Sequence, residues 1–287
     1  MKGPQNDFFH SNQSSSSQFF HGTKQFQNRS GKFFQSVPPF IRQRANHIQT
    51  MGGNKRRADG RASAATLRPL SCELSCLHRP DGSALWKSGS THVLAAVYGP
   101  VAPQIATYEQ EEGVISVVIK SAGNDSGNYK EELGGILTQT IQGCVDTSRF
   151  PRCVIEVVLQ IVQSDGSLLA SLLHAAVAAL MDAGVDLLYL PVATTCLVGG
   201  STNSTIFLDP TAAEEQEHRE SSIVVLVNEE KQADKILASH TVGPGTSLDD
   251  LLKCIQIASK ACSAIPAFWR LAMEQKLNRE SQTLWSR

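Results

Sequence analysis

The chain has 287 residues, 41% of them hydrophobic, and its 26 basic against 27 acidic side chains leave a net charge of −1. That is enough sequence for one large α/β or α+β unit with an appendage, and near-neutrality excludes a protein that coats nucleic acid through uniform positive charge. The longest apolar run, Leu168 to Met181, is interrupted by Ser171 and His174 and is too short to cross a bilayer, while seven cysteines without a Cys-x-x-Cys pair argue for reduced thiols rather than a disulfide framework or a zinc site.

The charge is unevenly spread. Residues 1–50 hold six Lys and Arg against the single acid Asp7, eight of the eleven Phe, the run Ser14 to Ser17 and few aliphatic side chains, so they carry +5 and the rest of the chain −6. A segment so poor in Leu, Ile and Val cannot offset its ordering entropy by burial. Residues 1–54 are therefore expected to be a disordered extension, and residues 55–287 one domain. The scarcity of acids would suit an organellar transit peptide; an optional leader ahead of an internal start at Met51 accounts for it at least as well, and the spaced Phe residues could act as stickers for a partner.

The domain opens on a basic stretch, Lys55, Arg56, Arg57, Arg61 and Arg68 around Asp59-Gly60, which reads as a solvated entry segment or as an RNA-facing patch. Strand-like stretches near 70–78, 83–88 and 91–98, with turns at Pro80-Asp81-Gly82 and Ser88-Gly89, predict a β-meander. Alternation of Val93, Ala95 and Val97, and again of Ile115, Val117 and Ile119, predicts strands with one face inward. A helix is expected over 131–146, weakened by about 1 kcal/mol for each of Gly134 and Gly135 relative to Ala. Val154 to Gln163 predicts a central strand. After Ser164-Asp165-Gly166, helical spacing of Leu169, Leu172, Leu173, Ala176 and Leu180 predicts a core helix that stops before Gly184. Strands over 192–198 and 205–208 come next, ended by Asp209-Pro210. A charged stretch over 214–220, a strand over 223–227 and a long helix from about Ser247, interrupted at Pro266, complete the pattern. The order predicts an α+β sandwich of helices on mixed sheet.

Three stretches carry a resemblance: Arg57-Ala-Asp-Gly-Arg61 with Leu67-Arg-Pro-Leu70; Pro80-Asp-Gly-Ser83 with Ser88-Gly-Ser-Thr91 and Val97-Tyr-Gly-Pro100; and Val157-Val-Leu-Gln160 with Ser164-Asp-Gly166 and Ala178 to Gly184. Together, from Arg56 to Leu277, they resemble the ribonuclease PH family, and within it the ring subunits of the RNA exosome. The resemblance implies a ribonuclease PH-like (ribosomal protein S5 domain 2-like) β-α-β-α sandwich and, in active members, phosphorolysis: inorganic phosphate attacks the last internucleotide bond at an RNA 3′ end and releases a nucleoside diphosphate. Two anions must approach each other, which calls for cationic or backbone donors and a carboxylate, usually with magnesium.

The family's active loop reads Asp-Gly-Gly-Thr-Arg, whose Thr and Arg cradle phosphate at a helix start. Here it is Asp165-Gly166-Ser167-Leu168-Leu169, so Leu168 and Leu169 replace the anchoring pair, and a second family Arg falls at Gly134-Gly135. The resemblance thus implies a degenerate site at Leu168, Leu169 and Gly135 with retained carboxylates Asp165, Asp209 and Glu215. Asp209 also reads as a turn former before Pro210 and Glu215 as a solvated helix end. Val101 to Gln110, where active ring subunits place a basic residue, holds no Lys or Arg. Arg56, Arg57, Arg61 and Lys120 remain as candidate RNA contacts, and His78, His92, His174 and His240 lack ligand spacing.

The expectation is a non-catalytic ring subunit without a cofactor, supporting 3′ to 5′ processing of ribosomal RNA and decay of messenger RNA. Its partners would be other ribonuclease PH-like subunits, cap proteins with S1 or KH domains, and RNA, in nucleus, nucleolus and cytoplasm and away from membranes. The alternative is a nuclease acting on RNA or DNA as a free homodimer, using phosphate or Mg2+, the metal held by Asp209 and Glu215.

Overall fold

The computed structural model describes residues 57, 59–102, 112–121, 127–199, 205–218, 221–232 and 234–285. All belong to residues 44–287, the second of two units into which the chain divides. The extension expected over 1–54, together with Lys55, Arg56 and most of the loop 101–110, lies outside the described residues.

Strands β1 (Leu70–Leu74), β2 (Gly82–Ser88) and β3 (Thr91–Val101) form the expected antiparallel meander. β4 (Val114–Ser121) runs parallel to β5 (Val154–Gln163), and β5 returns antiparallel beside β3, so the sheet order is β1-β2-β3-β5-β4. A parallel pair needs a crossover, which helix α1 (Gly127–Cys144) supplies, starting four residues before the predicted position. The period-two pattern holds in burial: Val93, Ala95, Val97, Val157 and Leu159 are inaccessible and share the inner face.

Helix α2 (Leu168–Asp182) is buried around almost its whole circumference. It lies between two sheets, with Trp86 and Val93 of the first and Val192, Ala193, Val225 and Val227 of the second in one continuous core. That is the environment for which an all-round apolar helix is suited. The second sheet, β6 (Pro191–Val198), β7 (Ile206–Leu208), β8 (Ser222–Glu229) and β9 (Ile236–Val242), is antiparallel in the order β7-β6-β8-β9. Its other face packs Cys196, Val224 and Leu226 against Cys254, Ala258 and Ala261 of α4 (Leu248–Cys262). Sheet, helices, sheet and helix stack as the expected β-α-β-α sandwich.

Three elements differ from the sequence reading. Inside the charged stretch lies a six-residue helix, α3 (Ala212–Glu217), set by a reciprocal capping box between Thr211 and Glu214. β9 was not predicted: as an edge strand it is largely exposed and mixes Ser, His and Thr with its apolar residues, so no clean alternation marks it. The last helix is two, α4 and α5 (Ala264–Trp285), broken at Ser263. Pro266 thus sits in the first turn of α5, where its missing N–H is no loss. Leu248–Gln282 is long and apolar enough, by length and composition, to cross a membrane, contrary to the sequence expectation; here Cys254, Ala258, Ala261, Cys262, Ile265 and Trp269 bury its inner side in the two cores. All seven cysteines are free thiols.

Candidate functional site

The loop between β5 and α2 meets the turn between β7 and α3. Gly166 makes the approach possible: its φ is +72°, and a Cβ there would stand 2.5 Å from the Pro210 carbonyl oxygen and 2.8 Å from the Ala212 nitrogen. Ser167, at φ 49° and ψ 40°, turns the chain into α2 through the left-handed region, which costs a non-glycine residue about 1–2 kcal/mol. Two hydrogen bonds hold it. The Ser167 N–H donates to Glu215 Oε1 at 3.0 Å, and its hydroxyl donates to the Pro210 carbonyl at 3.1 Å. The helix-start N–H that would face an anion is therefore engaged by the protein's own carboxylate.

Two arginines fix the surrounding turns. Arg68 donates from Nη2 to Asp209 Oδ1 at 2.7 Å and from its backbone N–H to Oδ2 at 3.0 Å, while the Ser88 hydroxyl reaches Oδ2 at 3.4 Å. The same guanidinium bonds Thr91 Oγ1 at 3.2 Å and the carbonyls of Asp165 and Gly166. Arg57 grips Glu214 in a fork, Nε to Oε1 at 2.8 Å and Nη2 to Oε2 at 2.6 Å, and donates to the Leu208 carbonyl at 2.7 Å. Asp165 Oδ1 accepts from the Ala212 N–H at 3.1 Å, at the start of α3.

The electrostatics follow from these contacts. Burial alone would raise the Asp209 carboxyl, but the hydrogen bond and charge of Arg68 outweigh it and hold Asp209 below the usual carboxylate range. Burial likewise opposes ionisation of Glu214, and Arg57 together with the Thr211 N–H brings it down to about 2. Glu215 moves the other way, raised first by burial and then by the negative charges of Asp165 and Asp209.

The residues expected to mark the degenerate site, Leu168, Leu169 and Gly135, are placed as follows. Leu169 is buried in the core and Leu168 packs against it, so both side chains serve packing. Gly135 is exposed, and a Cβ added to it would meet no atom within 4 Å, whereas Gly134 lies against the Val117 carbonyl. The carboxylates are engaged within the protein. Both oxygens of Asp209 are committed to Arg68 and Ser88, Glu215 and Asp165 each hold a backbone N–H, and among the described residues no three His, Cys, Asp or Glu side chains stand close enough to share a metal.

The candidate RNA contacts separate as well. Arg57 has a fully buried side chain and is a structural residue, contrary to its place among the expected contacts. Arg61 is nine-tenths buried, bonding the carbonyls of Thr66 at 2.8 Å and Asp209 at 3.0 Å beside an ion pair with Asp59; its guanidinium too is spent within the protein. Lys120 alone of the described candidates is exposed, on the edge strand β4, and Arg56 lies outside the described residues. Sequence reasoning missed the site's organisers, Arg68, Thr91 and Glu214, although Thr211-x-x-Glu214 is a readable capping signature.

The sequence profile of the 3′ exoribonuclease family, domain 1 (RNase PH), matches residues 66–186, from just before β1 through α2. An Arabidopsis thaliana protein named exosome complex exonuclease RRP46 homolog is 34% identical over 237 residues, 78% of this chain and 98% of that relative. The chain belongs to the RNase PH family. A family member of the same name from Oryza sativa is 34% identical over 77% of this chain and 96% of its own length. The crystal structure of rice Rrp46 superposes with a TM-score of 0.70 at 36% identity, covering 76% of this chain and all of the rice chain. An Archaeoglobus fulgidus exosome with RNA bound to the active site shares the RNase PH fold, with a TM-score of 0.61 at 22% identity over 79% of this chain and 97% of its own.

Proposed function

We propose that this RNase PH protein is a non-catalytic ring subunit of an RNA exosome, supporting 3′ to 5′ processing of ribosomal RNA and decay of messenger RNA. The observation that carries the loss of catalysis is the Ser167 N–H bound to Glu215 at the start of α2, with Leu168 and Leu169 in place of the family's phosphate anchors. An incoming phosphate would meet three carboxylates and, among the described residues around it, no free arginine, since Arg57, Arg61 and Arg68 are all committed to internal acceptors. No cofactor is required for such a role. The relatives' names support an exosome assembly; the reading extends to other RNase PH-like subunits as ring neighbours, S1 or KH proteins as caps, and residence in nucleus, nucleolus and cytoplasm.

A second reading, a nuclease acting on RNA or DNA, is favoured by the word exonuclease in the names of the Arabidopsis and rice relatives. Incubation of the purified chain with single-stranded RNA, with and without phosphate and magnesium, separates the two. No nucleoside diphosphate or monophosphate above the protein-free blank is expected. Diphosphate release that disappears in Glu215→Gln while the fold is retained would establish the enzyme instead. Native affinity purification is expected to recover other RNase PH-like subunits with the chain, and its recovery alone would refute the ring assignment.

A further inference from the structure

Beside the Arg68–Asp209 clasp the core holds a hydroxyl that has no protein partner. Thr195 stands opposite Val225 of β8, on the face of the second sheet that packs against α2. It is 3% exposed, and among the described residues no group lies within hydrogen-bond reach of its Oγ1. Its backbone carbonyl accepts from the Asp209 N–H at 2.8 Å, so the residue adjoins the turn between β7 and α3. Folded proteins pair nearly all their buried hydroxyls, and an ordered water is the partner where the chain supplies none.

Thr195 lines a cavity of about 20 Å³, together with Ser88, Ala170, Ser171, His174 and Asp209. Leu67 and Leu70 are the half-buried members of its wall, and the other lining residues are buried. One water needs roughly 10–15 Å³ of such space, so the cavity admits a single molecule and excludes a phosphate, a sugar or a base. The Asp209 charge is already balanced by Arg68, so the site calls for a neutral dipole rather than a cation. A buried water takes two to four polar partners, and the wall offers three. The Thr195 hydroxyl can donate and accept. Ser171 donates to the Ser167 carbonyl at 3.1 Å and keeps its lone pairs. Asp209 Oδ1 accepts from Arg68 Nη2 and has capacity for a second bond. We propose that this cavity between α2, β6 and the β7–α3 turn binds one internal water, which donates to the Asp209 carboxylate and pairs with the hydroxyls of Thr195 and Ser171. Asp209 holds its turn at φ 51°, in the left-handed region, and the water gives that turn a tie to α2 and β6 beyond those from Arg68 and Ser88. The inference concerns the interior of the domain and is independent of the ring reading.

Magnetic relaxation dispersion of the water oxygen, which counts waters held inside a protein, tests it on the full chain. Thr195→Val keeps the shape of the side chain without the hydroxyl and should lose one long-lived water relative to the unaltered chain. Thr195→Ser restores the hydroxyl and should keep it. Cooperative thermal unfolding checks that both variants are folded. A second measurement needs no variant: in the unaltered chain, with methyl groups labelled, cross-relaxation between water and the Ala170 methyl should carry the sign of a long-lived neighbour. Equal water counts in the unaltered chain and in folded Thr195→Val would overturn the proposal, as would the absence of cross-relaxation at Ala170. Loss of the water in Thr195→Ser as well as in Thr195→Val would also count against it, because the hydroxyl would then not be what holds the molecule.

Discussion

Arg68 and Asp209 are both buried, and each satisfies the other's charge while joining β1, the β5–α2 loop and the β7–α3 turn. Removing one partner leaves an uncompensated charge in the interior, a loss of about 3–5 kcal/mol. Arg68→Met should accordingly lower stability by that amount in urea unfolding, and Arg68→Met with Asp209→Asn should recover part of it. His174 sets a pH dependence. It sits between Trp86 and Trp269, at ring-centroid distances of 5.0 and 5.7 Å, with Nε2 accepting the Ala193 N–H at 3.2 Å. Burial lowers its pKa from 6.5 to about 4. Between these values the unfolded chain binds the proton and the folded chain does not, so stability falls as pH drops through that window, by roughly 3 kcal/mol in all. Glu214, held at about 2, extends the loss below pH 4.5. His174→Gln should flatten the pH 4 to 6.5 slope measured by urea midpoints and leave the lower limb in place.

At the scale of elements, two glycines that look alike in sequence behave differently. Gly166 requires its positive φ and has no room for a methyl group against Pro210 and Ala212, whereas Gly135 is an exposed position inside α1 with open space around it. Gly166→Ala should destabilise by about 2 kcal/mol or more, and Gly135→Ala should stabilise by up to about 1 kcal/mol; thermal unfolding of the two variants checks both signs. β3, β5 and α2 were legible in the sequence because burial imposes a period of two on a one-faced strand and an unbroken apolar composition on a helix between two sheets. β9 and α3 were not, since an edge strand owes little to burial and a six-residue helix is set by one cap. The loop residues of the site could be placed by motif, but the fate of Arg57 could not. Its partner Glu214 lies 157 positions away, and only the fold brings them together to turn an apparent surface charge run into an internal clasp.

For the whole molecule the consequence concerns RNA. The three described arginines of the basic stretch point inward, and Lys87, Arg149, Lys235, Lys253, Arg270 and Lys276 are all paired with acids, so a good part of the domain's positive charge is already spent within it. Residues 1–50 are the contrasting source, with six cations opposed by one acid. Because each phosphate contact to a single strand contributes about −0.7 to the slope of log K against log salt, the full chain, using up to six cations, should show a slope of about −2 to −4 in anisotropy titrations between 50 and 200 mM salt. A chain starting at Met51 should bind far more weakly, with a slope nearer −1, and Lys120→Ala should change it little. An undiminished slope in the shorter chain would place the RNA path on the domain itself. The expected result assigns RNA binding to residues 1–50, since Arg57, Arg61 and Arg68 are turned to holding the turns around Asp209 and Glu214.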